Sequence, residues 1–388
     1  MCQYILASFC NLQSLTTCPL LCLQVAENNK DITSYAPVSL GYEDLTISAT
    51  GLTSSNGRIY CLFASRLNNF YVAVLQENNL APLYCQELPE VRDGHSILVI
   101  DDRLYVVSTG TDEVICYDIK ENGFDHSRVV WKASDAKADT HHINSIVEKD
   151  GAILVSAFGP KTGKLWATAS NGYIYNITAN VPVIDNLNHP HSLSVRNDVI
   201  YYCDSQKKSF SAANQNNSIF DLNGYTRGVS WLSNGLICLA TSIGRRISKS
   251  TRFIANPADP GELAGECSLT LGDISKKTVI KKIDLSWFGP EIYDLLVLRD
   301  SSIDLLTLSS LSQKSERDGI QFLSSNAHIV NLTQAVAERD VKISIITQAI
   351  AERDEQIKVI MSSWSWKLTA PLRWIKMIAH RAVRSLFR

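Results

Sequence analysis

The chain reads as all-β: a six-bladed β-propeller followed by a C-terminal α-helical coiled-coil segment and an amphipathic helix. A strand–turn–strand unit recurs about every 40–50 residues, the period of a propeller blade. No amphipathic helix separates the strands, which argues against a βαβ sheet. From residue 310 the pattern changes to an apolar residue at every seventh position.

Taken in order, residues 1–39 are expected to close or pack on the propeller, which spans residues 40–310. Leu45–Ala49 and Arg58–Phe63 flank Ser54-Ser55-Asn56-Gly57, a hairpin signal. Ser96–Ile100, Asp101-Asp102 and Leu104–Ser108 form the next unit, with Glu113–Tyr117 beside it. Ile143–Val147, Lys149-Asp150-Gly151 and Ile153–Ala157 repeat it, as do Ser192–Val195, Asn197-Asp198 and Val199–Tyr202. Gly228–Leu232, Asn234-Gly235 and Leu236–Ala240 follow, and Glu291–Leu298 starts a sixth unit. Pro257, Pro260 and Gly261 mark an inserted loop in the longer interval before it.

Composition narrows the function classes. The hydrophobic content of 45% and charged content of 20% are those of an ordinary globular protein. Formal net charge is −2, but residues 356–388 hold seven Lys/Arg and no Asp or Glu, which leaves −9 for the rest. An acidic body argues against nucleic-acid binding, since phosphate neutralisation needs clustered cations. The ten cysteines show no Cys-x-x-Cys pair and read as free thiols in a reducing cytoplasm. Residues 1–25 lack the basic start and cleavage site of a signal peptide, and no apolar run reaches the roughly 18 residues of a membrane span.

Histidines mark the candidate site. Blade-equivalent strand starts place His95, His142, His191, Arg227 and Glu291 at one mouth of the central channel. Strand alternation pairs His142 with Asn144 and His189 with His191. His95, His142 and His191 are candidate ligands for a divalent metal, zinc or iron, with Glu291 as the candidate catalytic residue. Asn144, His189, Arg227 and Tyr293 are candidate ligand-binding residues. The competing reading is a set of polar groups that satisfy the blade tops and bind only water.

Thr140-His141-His142-Ile143-Asn144-Ser145, Asn188-His189-Pro190-His191-Ser192, Tyr225-Thr226-Arg227-Gly228-Val229 with Gly244-Arg245-Arg246, and Glu291-Ile292-Tyr293-Asp294 occur in that order. Together they resemble a bacterial propeller family classed as a domain of unknown function, across roughly residues 90–300. Ser145 stands where the family pattern has Gly, and Val229 where it has Leu. The resemblance implies the fold and no reaction.

Residues 311–328 read as a linker and 329–361 as a coiled-coil-like helix. Gln334–Asp340 recurs as Gln348–Asp354, and Ile329, Val336, Ile343, Ile350 and Ile357 form a seven-residue stripe for self-association through 329–360. Arg339 and Arg353 fall on the second apolar position and weaken the seam. Residues 362–388 form a basic amphipathic tail. Its Ser362–Trp374 segment, following Ala-Glu-Arg-Asp repeats, resembles the tails of bacterial surface-polysaccharide glycosyltransferases and methyltransferases. Over 371–388, Arg373, Lys376, His380, Arg381, Arg384 and Arg388 oppose an apolar stripe, a pattern suited to an anionic membrane surface.

No nucleophile elbow, phosphate-binding loop or dinucleotide motif is present. The expectation is a non-catalytic propeller that binds a glycan intermediate or protein partner at the inner membrane, beside polysaccharide-assembly enzymes. Its expected location is the cytoplasm, peripheral to that membrane. The alternative is a metal-dependent hydrolase or lyase built on the His cluster.

Overall fold

The structure, a computed structural model, describes residues 3–10, 18–26, 30–42, 46–65, 67–161, 163, 166–243, 265–298, 303–309 and 353. The coiled-coil and membrane-surface expectations fall on residues 329–388 and, Arg353 apart, lie outside the described residues, as do Gly244-Arg245-Arg246. No helix among the described residues is long and apolar enough to cross a membrane.

Among the described residues, twenty-four strands form six four-stranded sheets. Blade 1 contains β1 (Gln3–Cys10), β2 (Leu20–Val25) and β3 (Ile32–Val38). Blade 2 runs β4 (Thr46–Ser55), β5 (Arg58–Ser65), β6 (Phe70–Gln76), β7 (Pro82–Glu87), and blade 3 runs β8 (Gly94–Ile100), β9 (Arg103–Ser108), β10 (Glu113–Lys120), β11 (Gly123–Lys132). Blade 4 holds β12 (Ile143–Lys149), β13 (Ala152–Ala157), β14 (Gly172–Asn176) and β15 (Val181–Leu187). Blade 5 holds β16 (Pro190–Arg196), β17 (Val199–Asp204), β18 (Ser209–Ala212) and β19 (Phe220–Asp221). Blade 6 holds β20 (Tyr225–Trp231), β21 (Leu236–Ser242), β22 (Ser268–Asp273) and β23 (Thr278–Asp284). The last strand, β24 (Glu291–Leu298), joins β1 and becomes the innermost strand of blade 1, so the two ends of the propeller segment share one sheet.

Blade burial explains the sequence pattern. A second strand is covered on both faces by neighbouring blades, so β1, β5 and β21 read as nearly continuous apolar runs. Outermost β15 and β23 meet solvent and carry polar residues. The apolar clusters lie between adjacent blades, with Phe63 and Leu6 between blades 1 and 2 and Phe9 and Leu269 between blades 1 and 6. The hairpin signals hold in detail. Asn56-Gly57, Asp150-Gly151 and Asn197-Asp198 each place both central residues at positive φ, as a I′ turn requires.

Every innermost strand breaks register near its start. The breaks fall at Ala49/Leu52, Gly94/Ile97, Ile143/Ile146, His191/Ser194 and Arg227/Val229, and at Tyr293 of β24, opposite Ser8/Phe9. Such bulges re-aim side chains at a barrel rim. Gly51 sits in one of them, where a Cβ would lie 2.7 Å from the Ile97 nitrogen of the next blade.

A ring of buried hydroxyls ties these strands together. Ser8 donates to the Thr50 carbonyl (2.6 Å), Thr50 to Gly94 (3.1 Å), Thr109 to Ile143 (2.6 Å), Ser156 to Pro190 (3.0 Å), Ser205 to Thr226 (2.6 Å) and Ser242 to Ile292 (2.9 Å). Each bond passes from one blade to the innermost strand of the next, and the sixth returns to blade 1. Asp294 adds a further tie at the closing blade, accepting from the Leu52 and Leu295 amides at 2.9 Å each.

Two expectations follow for stability. Ser242→Ala leaves the Ile292 carbonyl buried without its donor and should cost about 1–3 kcal/mol in denaturant unfolding; a loss below about 0.5 kcal/mol would show the ring to be incidental. Burial pushes the Asp294 carboxyl up to about 7, against the pull of its two amide donors. The folded protein therefore holds this proton more tightly than the unfolded chain does. The stability it contributes is present below the ordinary carboxylate range and is lost as pH rises through about 7. Between pH 4 and 8 in low salt, stability should move in favour of Asp294→Asn over wild type by roughly 2–4 kcal/mol. Parallel pH profiles would refute this.

Candidate functional site

The mouth is built where the innermost strands begin. On blade 3, Asp112 is fully buried at positive φ, and its carboxylate accepts from the Thr140 amide (2.7 Å), the Thr140 hydroxyl (2.6 Å), the His141 amide (2.8 Å) and the His142 amide (3.0 Å). The Thr-His-His segment is thus wrapped around one carboxylate. His141 is sent to the Tyr173 hydroxyl (3.0 Å), and His142 is delivered to the channel. His142 and His189 both have positive φ and precede their strands, so strand alternation does not explain how either is aimed.

The residues expected at the mouth do meet there. The His95 ring packs edge-on against His142 (5.1 Å between centroids) and Tyr293 (5.5 Å). Phe158 sits among three imidazoles, 4.4 Å from His142, 4.1 Å from His189 in a parallel stack, and 5.1 Å from His191. Arg227 pairs with Glu291 at 3.3 Å, and its guanidinium lies between the Tyr225 (4.8 Å) and Tyr293 (5.1 Å) rings. Glu291 also accepts from the Cys10 thiol at 3.3 Å. No disulfide is found among the described residues.

Hydrogen bonds set the state of each imidazole. His95 Nδ1 faces the Asp93 carbonyl (2.8 Å), and His191 Nδ1 faces the His189 carbonyl (2.9 Å). Carbonyls only accept, so both Nδ1 atoms carry the proton and both Nε2 atoms present a lone pair. Ser205 agrees with this, since its hydroxyl donates to Thr226 and accepts from His191 at 2.8 Å. Burial pushes His95 down to about 4, and burial with the Arg227 charge holds His191 well below the usual range. His142 Nδ1 is held by Asp139 (3.0 Å), itself anchored by the Trp166 indole N–H (2.9 Å). Burial raises the Asp139 carboxyl, but His142 and Trp166 outweigh that and bring it below its ordinary value. His189 spends both nitrogens inside the protein, on the Tyr225 hydroxyl (3.0 Å) and the Trp166 carbonyl (2.9 Å). It braces the mouth.

The metal expectation is corrected. Among the described residues no three His, Cys, Asp or Glu side chains are placed to hold one ion. The physical reason is Phe158, whose ring occupies the space between His142 and His191. The mouth instead offers two buried atoms without a hydrogen-bond partner: Arg227 Nε, a donor, and His191 Nε2, an acceptor.

Asn144 marks the floor. Its Oδ1 accepts from the Tyr293 hydroxyl at 3.4 Å, joining blades 4 and 1 across the channel. Beyond this bar lies a chamber of about 140 Å³, lined by Leu52, Ser96, Asn144, Ser192, Val229 and Asp294, one residue from each blade. Phe158, Trp166, Tyr225, Asp139 and Ser205 were missing from the expected site. Asp139 and Tyr225 flank the histidine and arginine motifs and were within reach, whereas Trp166 sits in an irregular segment with no periodic signal.

Comparison with known proteins agrees with the architecture. A chain of the nidogen/laminin complex aligns at 9% identity over 77% of this chain and 99% of that one, with a TM-score of 0.55. A protein of unknown function from Bacteroides caccae aligns at 11% over 77% and 100% (TM-score 0.49), and the periplasmic gluconolactonase of Pseudomonas aeruginosa at 10% over 77% and 99% (TM-score 0.46). The nidogen/laminin likeness, at 9% identity, is one of fold alone. No curated protein matches the chain in sequence. The family model described as a domain of unknown function, DUF4915, matches residues 93–305, more than half of the chain and the part that carries His95, His142, His191, Arg227 and Glu291. The chain belongs to the DUF4915 family.

Proposed function

We propose that this is a non-catalytic propeller that binds a glycan intermediate of bacterial surface-polysaccharide assembly in its channel mouth. The observation that carries the reading is the pair of buried, unpartnered atoms Arg227 Nε and His191 Nε2. A buried polar group left unpaired costs about 1–3 kcal/mol, so a ligand that supplies both partners is favoured. One donor beside one acceptor suits a hydroxyl, which both gives and accepts. The neutral His95 Nε2 adds a second acceptor. An anion fits less well, because Arg227 is already paired with Glu291 and the imidazoles turn lone pairs inward. A protein partner fits less well too, since both unpartnered atoms are buried in the channel. The hydrolase or lyase reading loses its three-ligand centre.

The tail supports a place for this activity. Self-association through 329–360 and a basic face over 371–388 would keep the protein in the cytoplasm, peripheral to the inner membrane and near polysaccharide-assembly enzymes.

Neutral mono- and oligosaccharides should show saturable binding in calorimetry, ahead of their uronate and phosphorylated counterparts. Arg227→Met or His191→Phe should weaken it roughly 10- to 100-fold. Affinity should be level from pH 8 to 6 and fall as pH approaches about 4, where His95 gains a proton and ceases to accept. A panel with no saturable neutral sugar would defeat the reading.

For the tail, replacing Arg373, Lys376, Arg381 and Arg384 by Glu should abolish co-sedimentation with anionic vesicles and leave self-association intact. Vesicle binding indifferent to both charge reversal and salt would exclude the membrane placement.

A further inference from the structure

The chamber beyond the Tyr293–Asn144 bar is a different environment from the mouth, with one carboxylate in place of the imidazoles. Asp294 lies deep in the molecule yet keeps some accessible surface, and it belongs to the chamber lining. Its donors are the Leu52 and Leu295 amides. Among the described residues no Lys, Arg or His forms an ion pair with it, whereas Glu291 is paired with Arg227 and Asp139 with His142. A buried carboxylate is ordinarily paired, bound to a cation or protonated. Thr53, Ser96 and Ser192 line the same wall, where the Ser192 hydroxyl accepts from the Gly228 amide (2.8 Å). Asn144, 1% exposed, brings an Nδ2 with no partner.

We propose that this chamber is a binding site for one monovalent metal cation, sodium or potassium, with Asp294 as its charged ligand. Charge selects the class. One carboxylate neutralises a single positive charge, whereas calcium sites gather several carboxylates and magnesium keeps an ordered octahedral shell. Size agrees with it. At about 30 Å³ per water, 140 Å³ holds one cation and a few waters. Hydroxyl oxygens and those waters complete the coordination, and a cation-bound water oxygen gives Asn144 Nδ2 the acceptor it lacks. The site stands apart from the sugar-binding reading and survives its failure.

The test is thermal unfolding of the full chain at pH 8 in sodium, potassium or choline chloride at equal ionic strength. The wild-type midpoint should rise by about 2–4 °C in 100 mM sodium or potassium over choline, for a cation held at about 10 mM. Asp294→Asn should show no such difference. Equal wild-type midpoints in all three salts, or the same rise in a folded Asp294→Asn, would overturn the proposal. Greater stabilisation by calcium or magnesium would overturn the monovalent assignment. If Asp294→Asn does not fold, ²³Na relaxation on the wild type decides: broadening that potassium reverses and choline does not supports the site, and its absence removes it.

Discussion

Six hydroxyl-to-carbonyl hydrogen bonds, one from each blade to the next, are the constraint on which the site depends. Their acceptors are the carbonyls of Thr50, Gly94, Ile143, Pro190, Thr226 and Ile292. Five of the six lie next to a residue of the site: Gly94 precedes His95, Ile143 separates His142 from Asn144, Pro190 precedes His191, Thr226 precedes Arg227, and Ile292 lies between Glu291 and Tyr293. Each bond is worth only about 0.5–1.5 kcal/mol net, but each leaves a buried carbonyl stranded if lost. Apolar packing between blades supplies most of the stabilisation and is tolerant of small rotations. Directional bonds are not, so they hold the strand starts, and with them the mouth, in one arrangement.

Much of the fold was legible because its signals are local. Asn56-Gly57, Asp150-Gly151 and Asn197-Asp198 announce I′ turns by composition, and their spacing sets the blade period. With the ring carbonyls as equivalent points, His95, His191 and Arg227 each follow one whereas His142 and Glu291 precede theirs, so the repeat accounts for only part of the convergence. The hydroxyl ring was not legible, since Ser156 or Ser242 inside an apolar strand looks like any other small residue. Phe158, one residue past the Ile153–Ala157 run, carries no local signal of a site. Its ring fills the space at the centre of the imidazoles, and that depends on contacts between blades which no local pattern encodes.

The Tyr293–Asn144 bar divides the channel into compartments of different electrostatic character. Above it, the Arg227–Glu291 pair is internally balanced, and burial keeps His95 and His191 neutral, so the mouth is polar with little net charge. Below it, the Asp294 carboxylate accepts from two backbone amides. The same desolvation acts in opposite directions on the two sides, lowering imidazoles and raising a carboxyl, because in each case it disfavours the charged form.

Glu291 is spent on contacts within the protein. A general base needs a free lone pair directed at the substrate, within hydrogen-bond reach of the proton it removes. Glu291 instead accepts from Arg227 and from the Cys10 thiol, across the seam where the two ends of the propeller meet. Its carboxylate fixes the guanidinium between Tyr225 and Tyr293 and so aims the unpartnered Nε. Asp139 holds His142 through Nδ1 in the same manner, and the neighbours of that imidazole are the His95, Phe158 and Trp166 rings. The carboxylates of the mouth thus orient donors and acceptors, which is what selective recognition of a hydroxylated ligand requires.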